Sequence, residues 1–108
     1  MDALYFECHI TIEPVFDERL DQLKMMCHHF NFKVADLLMQ KRETDTITRS
    51  KNDTFVTGHS MFYYEIEERM RELLYSLKLS GFKIWRYKIE EVIIDSRNSD
   101  TYNILDEA

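Results

Sequence analysis

Apolar and polar side chains alternate along the whole of the segment Tyr5-Phe6-Glu7-Cys8-His9-Ile10-Thr11-Ile12. Because successive side chains of a β-strand point to opposite faces of its sheet, this alternation predicts a strand over residues 4–12. Pro14 closes it, since a residue that precedes proline is restricted in its backbone conformation. One face of the strand is apolar and carries Phe6, Cys8, Ile10 and Ile12. The other face carries an acid, an imidazole and a hydroxyl, which form either a solvated surface or a site.

Beyond this strand, the apolar spacing changes to the i, i+4, i+7 pattern of an amphipathic helix. This helix is predicted over residues 15–30, where Asp17 and Glu18 suit the positive end of the helix dipole. Asn31 is the predicted C-terminal cap. The predicted buried positions are Phe16, Leu20, Leu23, Cys27 and Phe30.

A second helix is predicted from the N-cap Ser60 to about residue 79. Gly81 supplies the left-handed conformation that ends it. The predicted buried positions are Phe62, Ile66, Met70, Leu73 and Leu77. On the solvated side, the spacing predicts the i, i+4 ion pairs Glu65–Arg69 and Glu67–Arg71.

Three further segments favour strands, at residues 32–41, 54–59 and 82–94. The resulting order β-α-β-β-α-β is typical of the split βαβ, or ferredoxin-like, fold. We therefore expect one α+β domain over residues 1–94, with a four-stranded antiparallel sheet and both helices on one face. In this topology the first and third strands are central, and the first lies between the third and the fourth.

Two polar segments fit no regular element. Residues 42–53 are rich in threonine, and a mobile loop is predicted there. Basic residues outnumber acidic ones between Gln40 and Lys51, so this loop would suit a small anionic ligand. Residues 95–108 are predicted to form a polar, acidic tail.

The composition restricts the class of protein. A chain of 108 residues is long enough for one ordinary core. Its net charge of −6 argues against binding to long nucleic acid, which draws on a surplus of Lys and Arg. The sequence shows no long apolar run and no signal peptide, so no membrane partner and a cytoplasmic location are expected. Cys8 and Cys27 fall on predicted core faces, where reduced, buried thiols are expected.

If both helices cover one face of the sheet, polar side chains of three strands meet on the other. Towards the core we expect Val56 and Gly58 in the third strand, and Trp85, Tyr87 and Ile89 in the fourth. Cross-strand neighbours on one face lie about 4.5–5.5 Å apart, so the outward residues converge. This surface is called the open face, and its predicted site residues are Glu7, His9, Thr11, Thr57, His59, Arg86, Lys88 and Glu90.

The convergence of these side chains favours the binding of a small phosphorylated or nucleotide-like ligand. It also favours phosphoester chemistry on that ligand. His9 and His59 are the predicted catalytic residues, because imidazole transfers protons near neutral pH. The predicted ligand-binding residues are Glu7, Thr11, Thr57, Arg86, Lys88 and Glu90. Arg and Lys would hold phosphate oxygens, and free N–H groups at the helix start after His59 would suit the same anion. No cofactor is expected, because the chain has two glycines and no phosphate-binding loop.

The open face has other interpretations. Glu7, His9 and His59 offer metal ligands, but neighbouring Lys and Arg repel a cation, so no metal is predicted. RNA binding on Tyr5 and Phe55 is disfavoured by the acidic charge and by the absence of an RNP1-type string. The face can also be a solvated surface. The alternative function is a non-enzymatic interaction module that forms a homodimer or docks a host protein through this face.

Two resemblances accompany these patterns. His9-Ile10-Thr11-Ile12 resembles one half of the His-x-Thr-x signature of the 2H phosphoesterases, which carry two such motifs on a duplicated α/β scaffold. His59-Ser60-Met61-Phe62 departs from the second motif. The strings Tyr5-Phe6-Glu7-Cys8-His9-Ile10-Thr11 and Gly81-Phe82-Lys83-Ile84-Trp85-Arg86-Tyr87-Lys88-Ile89-Glu90 resemble small bacterial and phage domains of ferredoxin-like frame and no assigned activity. The first resemblance implies phosphoester chemistry at His9, and the second implies the frame with its polar face.

Overall fold

The computed structural model describes residues 4–35 and 53–93 of the chain. Its elements are β1 (Tyr5–Ile12), α1 (Asp17–His29), β2 (Lys33–Val34), β3 (Thr54–Ser60), α2 (Tyr63–Leu79) and β4 (Ile84–Val92). The strands pair antiparallel in the order β2-β3-β1-β4, so β1 and β3 are central. This confirms the predicted α+β, ferredoxin-like arrangement. None of the described helices is long and apolar enough to cross a membrane.

Several predictions fall partly or wholly outside the described residues. The loop over 42–53 does so apart from Asp53, and the strand over 32–41 does so beyond residue 35. The acidic tail over 95–108 lies outside them entirely. Within the described part, β2 has two residues and is one edge of the sheet.

The core lies between the sheet and the two helices. On β1, Cys8, Ile10 and Ile12 are 0% exposed, as the alternation predicted. The helices contribute buried side chains at the predicted spacing, namely Leu23, Cys27, Ile66, Met70, Leu73 and Leu77. Burying one such side chain stabilises the fold by about 1.5–3 kcal/mol, so this layer determines which sheet face is closed.

The start of α2 differs from the prediction. Ser60 is the last residue of β3, and the N-cap is Phe62, whose backbone is extended. Ser60 still accepts a hydrogen bond from the Phe62 N–H at 3.0 Å, and its hydroxyl donates to Glu65. Phe62 is 69% exposed and not in the core, because it precedes the helix whose apolar face is buried. The helical N–H groups therefore do not follow His59 directly.

Arg69 fixes α2 to the neighbouring elements. Its guanidinium donates to the carbonyl oxygens of Phe30 at 3.0 Å, Asn31 at 2.8 Å and His59 at 3.0 Å. The predicted Glu65–Arg69 pair is therefore wrong, since Glu65 bonds to Ser60. The other predicted pair is confirmed, with Arg71 and Glu67 2.9 Å apart.

Asn31 and Gly81 adopt the left-handed backbone conformation that ends each helix, and Gly58 leaves room for a neighbouring side chain. Asn31 and Gly81 have φ angles of 61° and 85°, which is the left-handed conformation expected after each helix. Gly58 lies opposite Cys8 in the β1–β3 register. A Cβ atom on Gly58 would lie 2.7 Å from the ring of the buried Phe32. Glycine at this position therefore lets Phe32 close the core against β3.

The core prediction for β4 is wrong at two aromatic residues. Trp85 is 52% exposed and Tyr87 is 53% exposed, whereas Ile89 packs against the core. The β1–β4 register shifts between Thr11 and Ile12, which leaves Trp85 as the extra residue of a bulge. Tyr87 lies opposite Ile10 and so on the helix side, but on an edge strand that the helices cover incompletely.

A buried carboxylate holds the beginning of β4 beside the end of β1. Glu13 accepts a hydrogen bond from the Lys83 N–H at 3.0 Å, and the Glu13 N–H donates to the Lys83 carbonyl at 2.9 Å. Arg19 lies 3.5 Å from the same carboxylate and 4.2 Å from the centre of the Phe82 ring. This arrangement fixes the starting position of β4, the edge strand that carries Arg86, Lys88 and Glu90 on the open face.

Candidate functional site

The register places the open-face residues in three rows that run across the strands. The acidic row consists of His59, Glu7 and Glu90. The basic row consists of Lys33, Thr57, His9 and Lys88. The Thr11 row consists of Phe55, Thr11 and Arg86. All the predicted site residues occupy these rows, and the rows separate acidic from basic side chains along the strands.

Glu7, His9 and Glu90 form a cluster of close polar groups at the boundary of the first two rows. Glu7 and Glu90 are directly opposite each other, an arrangement that is unfavourable for two like charges. The His9 Nε2 atom lies 3.3 Å from Glu7 Oε1 and 3.1 Å from Glu90 Oε1. On the far side, Lys88 Nζ lies 3.0 Å from Glu90 Oε2. The Lys88 ammonium group therefore offsets part of the repulsion between the carboxylates, and the His9 ring contacts both of them.

The pKa of Glu90 reflects this environment. The hydrogen bond from Lys88 and the charge of Lys88 lower the pKa of the Glu90 carboxyl below its usual value of 4.5, and His9 adds a smaller effect. Because the carboxylate is exposed, solvent weakens each of these interactions. Glu90 is therefore ionised at neutral pH and available as a hydrogen-bond acceptor.

One groove of about 480 Å³ occupies the β4 side of the open face. Its lining residues are His9, Thr11, Phe55, Arg86, Lys88 and Glu90. Thr11 is buried and forms the floor, between Phe55 on β3 and Arg86 on β4. Among residues 4–35 and 53–93, Arg86 has no ion-pair partner, so its guanidinium donors are free for a ligand.

A second groove, of about 520 Å³, occupies the other end of the face. Its lining residues are Leu4, Tyr5, Glu7, His59 and Met61. The ring of Tyr5 meets the His59 ring edge-on, with 5.9 Å between the centroids. His9 and His59 thus line different grooves, and in the register they are diagonal rather than opposite. Their pairing as a catalytic acid and base stays a prediction.

Among residues 4–35 and 53–93, Glu7, His9 and Glu90 also form a group that could hold a metal ion. Each offers one ligand atom, and these three atoms lie within 4.8 Å of one another. This set replaces the His59 of the sequence-based combination with Glu90. The ammonium group of Lys88 already contacts the Glu90 carboxylate and competes with a cation there.

Sequence reasoning missed two contributors to the face and assigned Phe55 only a base-stacking role. Phe55 was expected to point outward but not to form a wall of the groove, and Lys33 joins the basic row through the β2–β3 register. The indole N–H of Trp85 donates to Asp53 Oδ1 at 3.1 Å, at the end of the sheet nearest the Thr11 row. The alternation around Val34 was a usable signal for Lys33, whereas the contact between Trp85 and Asp53 depends on the bulge.

A comparison with protein-family models and with curated proteins found no match for this chain. The two resemblances drawn from the sequence strings therefore stay predictions.

Proposed function

We propose that the groove at His9 binds a small anionic ligand that is phosphorylated or nucleotide-like. The observation that carries the proposal is the guanidinium of Arg86, which has no ion-pair partner among the described residues and lies beside Lys88 in a concave site. A guanidinium presents several N–H donors in a planar fork that matches two phosphate oxygens. A concave site of this volume fits a ligand of nucleotide size.

The separation of charge along the strands favours a nucleotide-like ligand over bare phosphate. Arg86 and Glu90 are four residues apart on β4, or about 13 Å. An anionic group at Arg86 would therefore lie well away from the carboxylates of Glu7 and Glu90. Those carboxylates accept hydrogen bonds from hydroxyl or amino groups, such as those of a ribose or a base. Phe55 offers an aromatic surface at the Arg86 end of the groove, across Thr11 from Arg86.

His9 is the group that would perform proton transfer on such a ligand. Its Nε2 atom lies 3.3 Å from a Glu7 carboxylate oxygen and 3.1 Å from a Glu90 carboxylate oxygen, and these contacts orient the ring. In hydrolysis, a water molecule would attack phosphorus while the P–O bond to the leaving group breaks, and His9 would supply a proton to the leaving oxygen. This proton transfer is a hypothesis, and the hydrolysis assay described below tests it.

Thermal unfolding against inorganic phosphate and a panel of ribonucleotides tests the binding proposal. A ligand at about 100 times its dissociation constant adds roughly 2.7 kcal/mol of stability, which shifts the melting temperature by several degrees. We expect a shift in the wild type that is lost in Arg86→Ala. The matched control is Arg71→Ala, because Arg71 pairs with Glu67 on α2 and should leave the shift unchanged. A shift that persists in Arg86→Ala, or no shift with any probe, would contradict the proposal.

A hydrolysis assay on the nucleotide that binds then tests the chemistry. We expect His9→Gln to keep the thermal shift and to lose turnover, and His59→Gln to keep the shift. Binding without turnover in the wild type would remove the enzymatic hypothesis and leave the binding function in place.

The alternative, a protein-interaction module, has its own supporting observation. Met61, Phe62 and Tyr64 follow β3 in an exposed run beside the second groove. Exposed apolar patches of this kind are typical of protein-binding surfaces. An interaction module would depend on this run and tolerate Arg86→Ala. A Phe62→Ser/Tyr64→Ser variant that retains the ligand-induced shift would separate the two functions.

A further inference from the structure

The outer edge of β4 is long, regular and unpaired among the described residues. The strand has nine residues, whereas β2 at the opposite edge has two. Seven consecutive residues, Arg86–Val92, pair with β1 without interruption. An edge of this kind presents free backbone N–H and C=O groups to another strand, and natural proteins usually shorten or interrupt it. This strand contains no proline, and its one bulge lies at its start.

Apolar side chains flank this edge. Trp85, Tyr87 and Ile93 are all about half exposed, although each is large and apolar. Tyr87 and Ile89 lie on the helix side of the sheet, where pairing with a second strand would cover them further. The open-face side of the same edge carries two cations and an acid, at Arg86, Lys88 and Glu90.

We propose that β4 pairs antiparallel with β4 of a second copy of this chain, about a two-fold axis through Lys88. Charge complementarity favours this occupant, because Arg86 of each copy then lies opposite Glu90 of the other. Arg86 has no other carboxylate partner among the described residues. On the helix side, Tyr87 of each copy lies opposite Ile89 of the other, which is a favourable aromatic and β-branched cross-strand pair.

Neighbouring registers fit the side chains less well. An axis through Tyr87 would place Arg86 opposite Lys88, which juxtaposes like charges. An axis through Ile89 would place Tyr87 opposite Glu91 and leave Arg86 opposite Val92. The axis through Lys88 brings the two copies of Lys88 together, but each ammonium group is 3.0 Å from the Glu90 carboxylate of its own chain.

This dimer joins the two sheets and brings the two His9 grooves side by side. Arg86 of each copy would then reach the Glu90 end of the other groove. A guanidinium has five N–H donors, so Arg86 can contact this carboxylate along one edge and an anion along the other. The inference concerns the strand edge and does not depend on the ligand proposed for the groove.

Cysteine cross-linking tests the register directly. Opposite residues of paired strands have Cα atoms about 4.5–5.5 Å apart, within the range that a disulfide spans. We therefore expect Lys88→Cys to form a covalent dimer on mild oxidation, seen on a non-reducing gel. Tyr87→Cys is the matched control one residue away, because Tyr87 faces Ile89 and not its own copy. The native thiols of Cys8 and Cys27 are buried and contribute little background.

Charge reversal gives a second measurement that does not depend on oxidation. By sedimentation equilibrium we expect Arg86→Glu to weaken the dimer about tenfold, and Arg86→Glu/Glu90→Arg to restore it. A wild type that stays monomeric up to about 1 mM would overturn the proposal. Equal cross-linking of Lys88→Cys and Tyr87→Cys, or a double variant as weak as the single one, would overturn it as well.

Discussion

The two faces of β1 carry opposite kinds of interaction within the same eight residues. On the covered face, Cys8, Ile10 and Ile12 are fully buried and contact only the core. On the open face, Glu7 and His9 keep about a third of their side-chain surface exposed, at 36% and 33%, and contact polar or charged neighbours within 3.3 Å. The difference indicates that packing on one face stabilises the domain, whereas the other face can hold polar groups for a ligand at little cost.

Truncating a side chain on the covered face should give the largest effect. We expect Ile10→Ala to lower the free energy of unfolding by about 2–5 kcal/mol, because it leaves a cavity between the sheet and the helices. Thr57→Ala, on the open face of the adjacent strand, should change it by no more than about 0.5 kcal/mol. Urea unfolding of both variants measures the contrast. Similar losses in the two variants would mean that the open face is also packed against something.

The two buried thiols, Cys8 on the covered face of β1 and Cys27 on α1, should make the protein sensitive to alkaline pH. Burial raises the pKa of Cys8 and of Cys27 from 9.0 to about 12. Below pH 9.0 both thiols are protonated in either state, so their full contribution to stability is present. Between pH 9.0 and about 12 the unfolded chain releases these protons and the folded one does not, so stability falls as pH rises.

Unfolding free energy measured across this pH range tests the effect. Lysine and tyrosine also titrate there, so the control is Cys8→Ala/Cys27→Ala, whose absolute stability is lower. We expect a shallower decline in the double variant than in the wild type. Parallel declines would show that the buried thiols do not contribute to the alkaline response.

The fold was predictable because alternation and helical spacing decide only which side of each element is buried. Ile10 and Leu73 needed no more than that, and both are fully buried. Trp85 and Tyr87 needed more, because burial on an edge strand depends on how far the helices reach and on a bulge that shifts the phase. The start of α2 could not be predicted from the local pattern either. Ser60 is the last residue of β3, yet its hydroxyl oxygen accepts a hydrogen bond from the Phe62 N–H as an N-cap would.

The candidate site was predictable as a face but not as a set of contacts. Alternation placed Glu7 and His9 together, and the topology placed Lys88 nearby. The contact between His9 and Glu90 depends on the exact β1–β4 register, which no single strand encodes. The division of the face into two grooves depends on side-chain orientation, and it separates His59 from His9.

Substitution of Arg69, on the helix α2 that packs over the covered face, should destabilise the protein less than Ile10→Ala. Its guanidinium binds three backbone carbonyl oxygens at once, on Phe30, Asn31 and His59. Lysine keeps the charge but cannot reproduce this planar set of donors. We expect Arg69→Lys to lower the free energy of unfolding by about 1–3 kcal/mol in urea. Arg71→Lys, which alters an exposed pair on the same helix, should be nearly neutral.

The smallest expected effect is the contribution of Glu90, on the open face, to the stability of the protein at acid pH. Lys88, with a lesser contribution from His9, lowers the pKa of Glu90 below 4.5 in the folded protein. The resulting stabilisation is therefore present above pH 4.5 and is lost as the pH falls through the folded value.

Glu90→Gln removes the titrating group, and Lys88→Met removes the main cause of its pKa shift. We expect both variants to lose stability less steeply than the wild type below pH 4.5, measured by urea unfolding at a series of pH values. Added salt should reduce the difference, because exposed charges are screened. If Glu90→Gln flattened the acid response but Lys88→Met did not, His9 rather than Lys88 would be the dominant partner of the carboxylate.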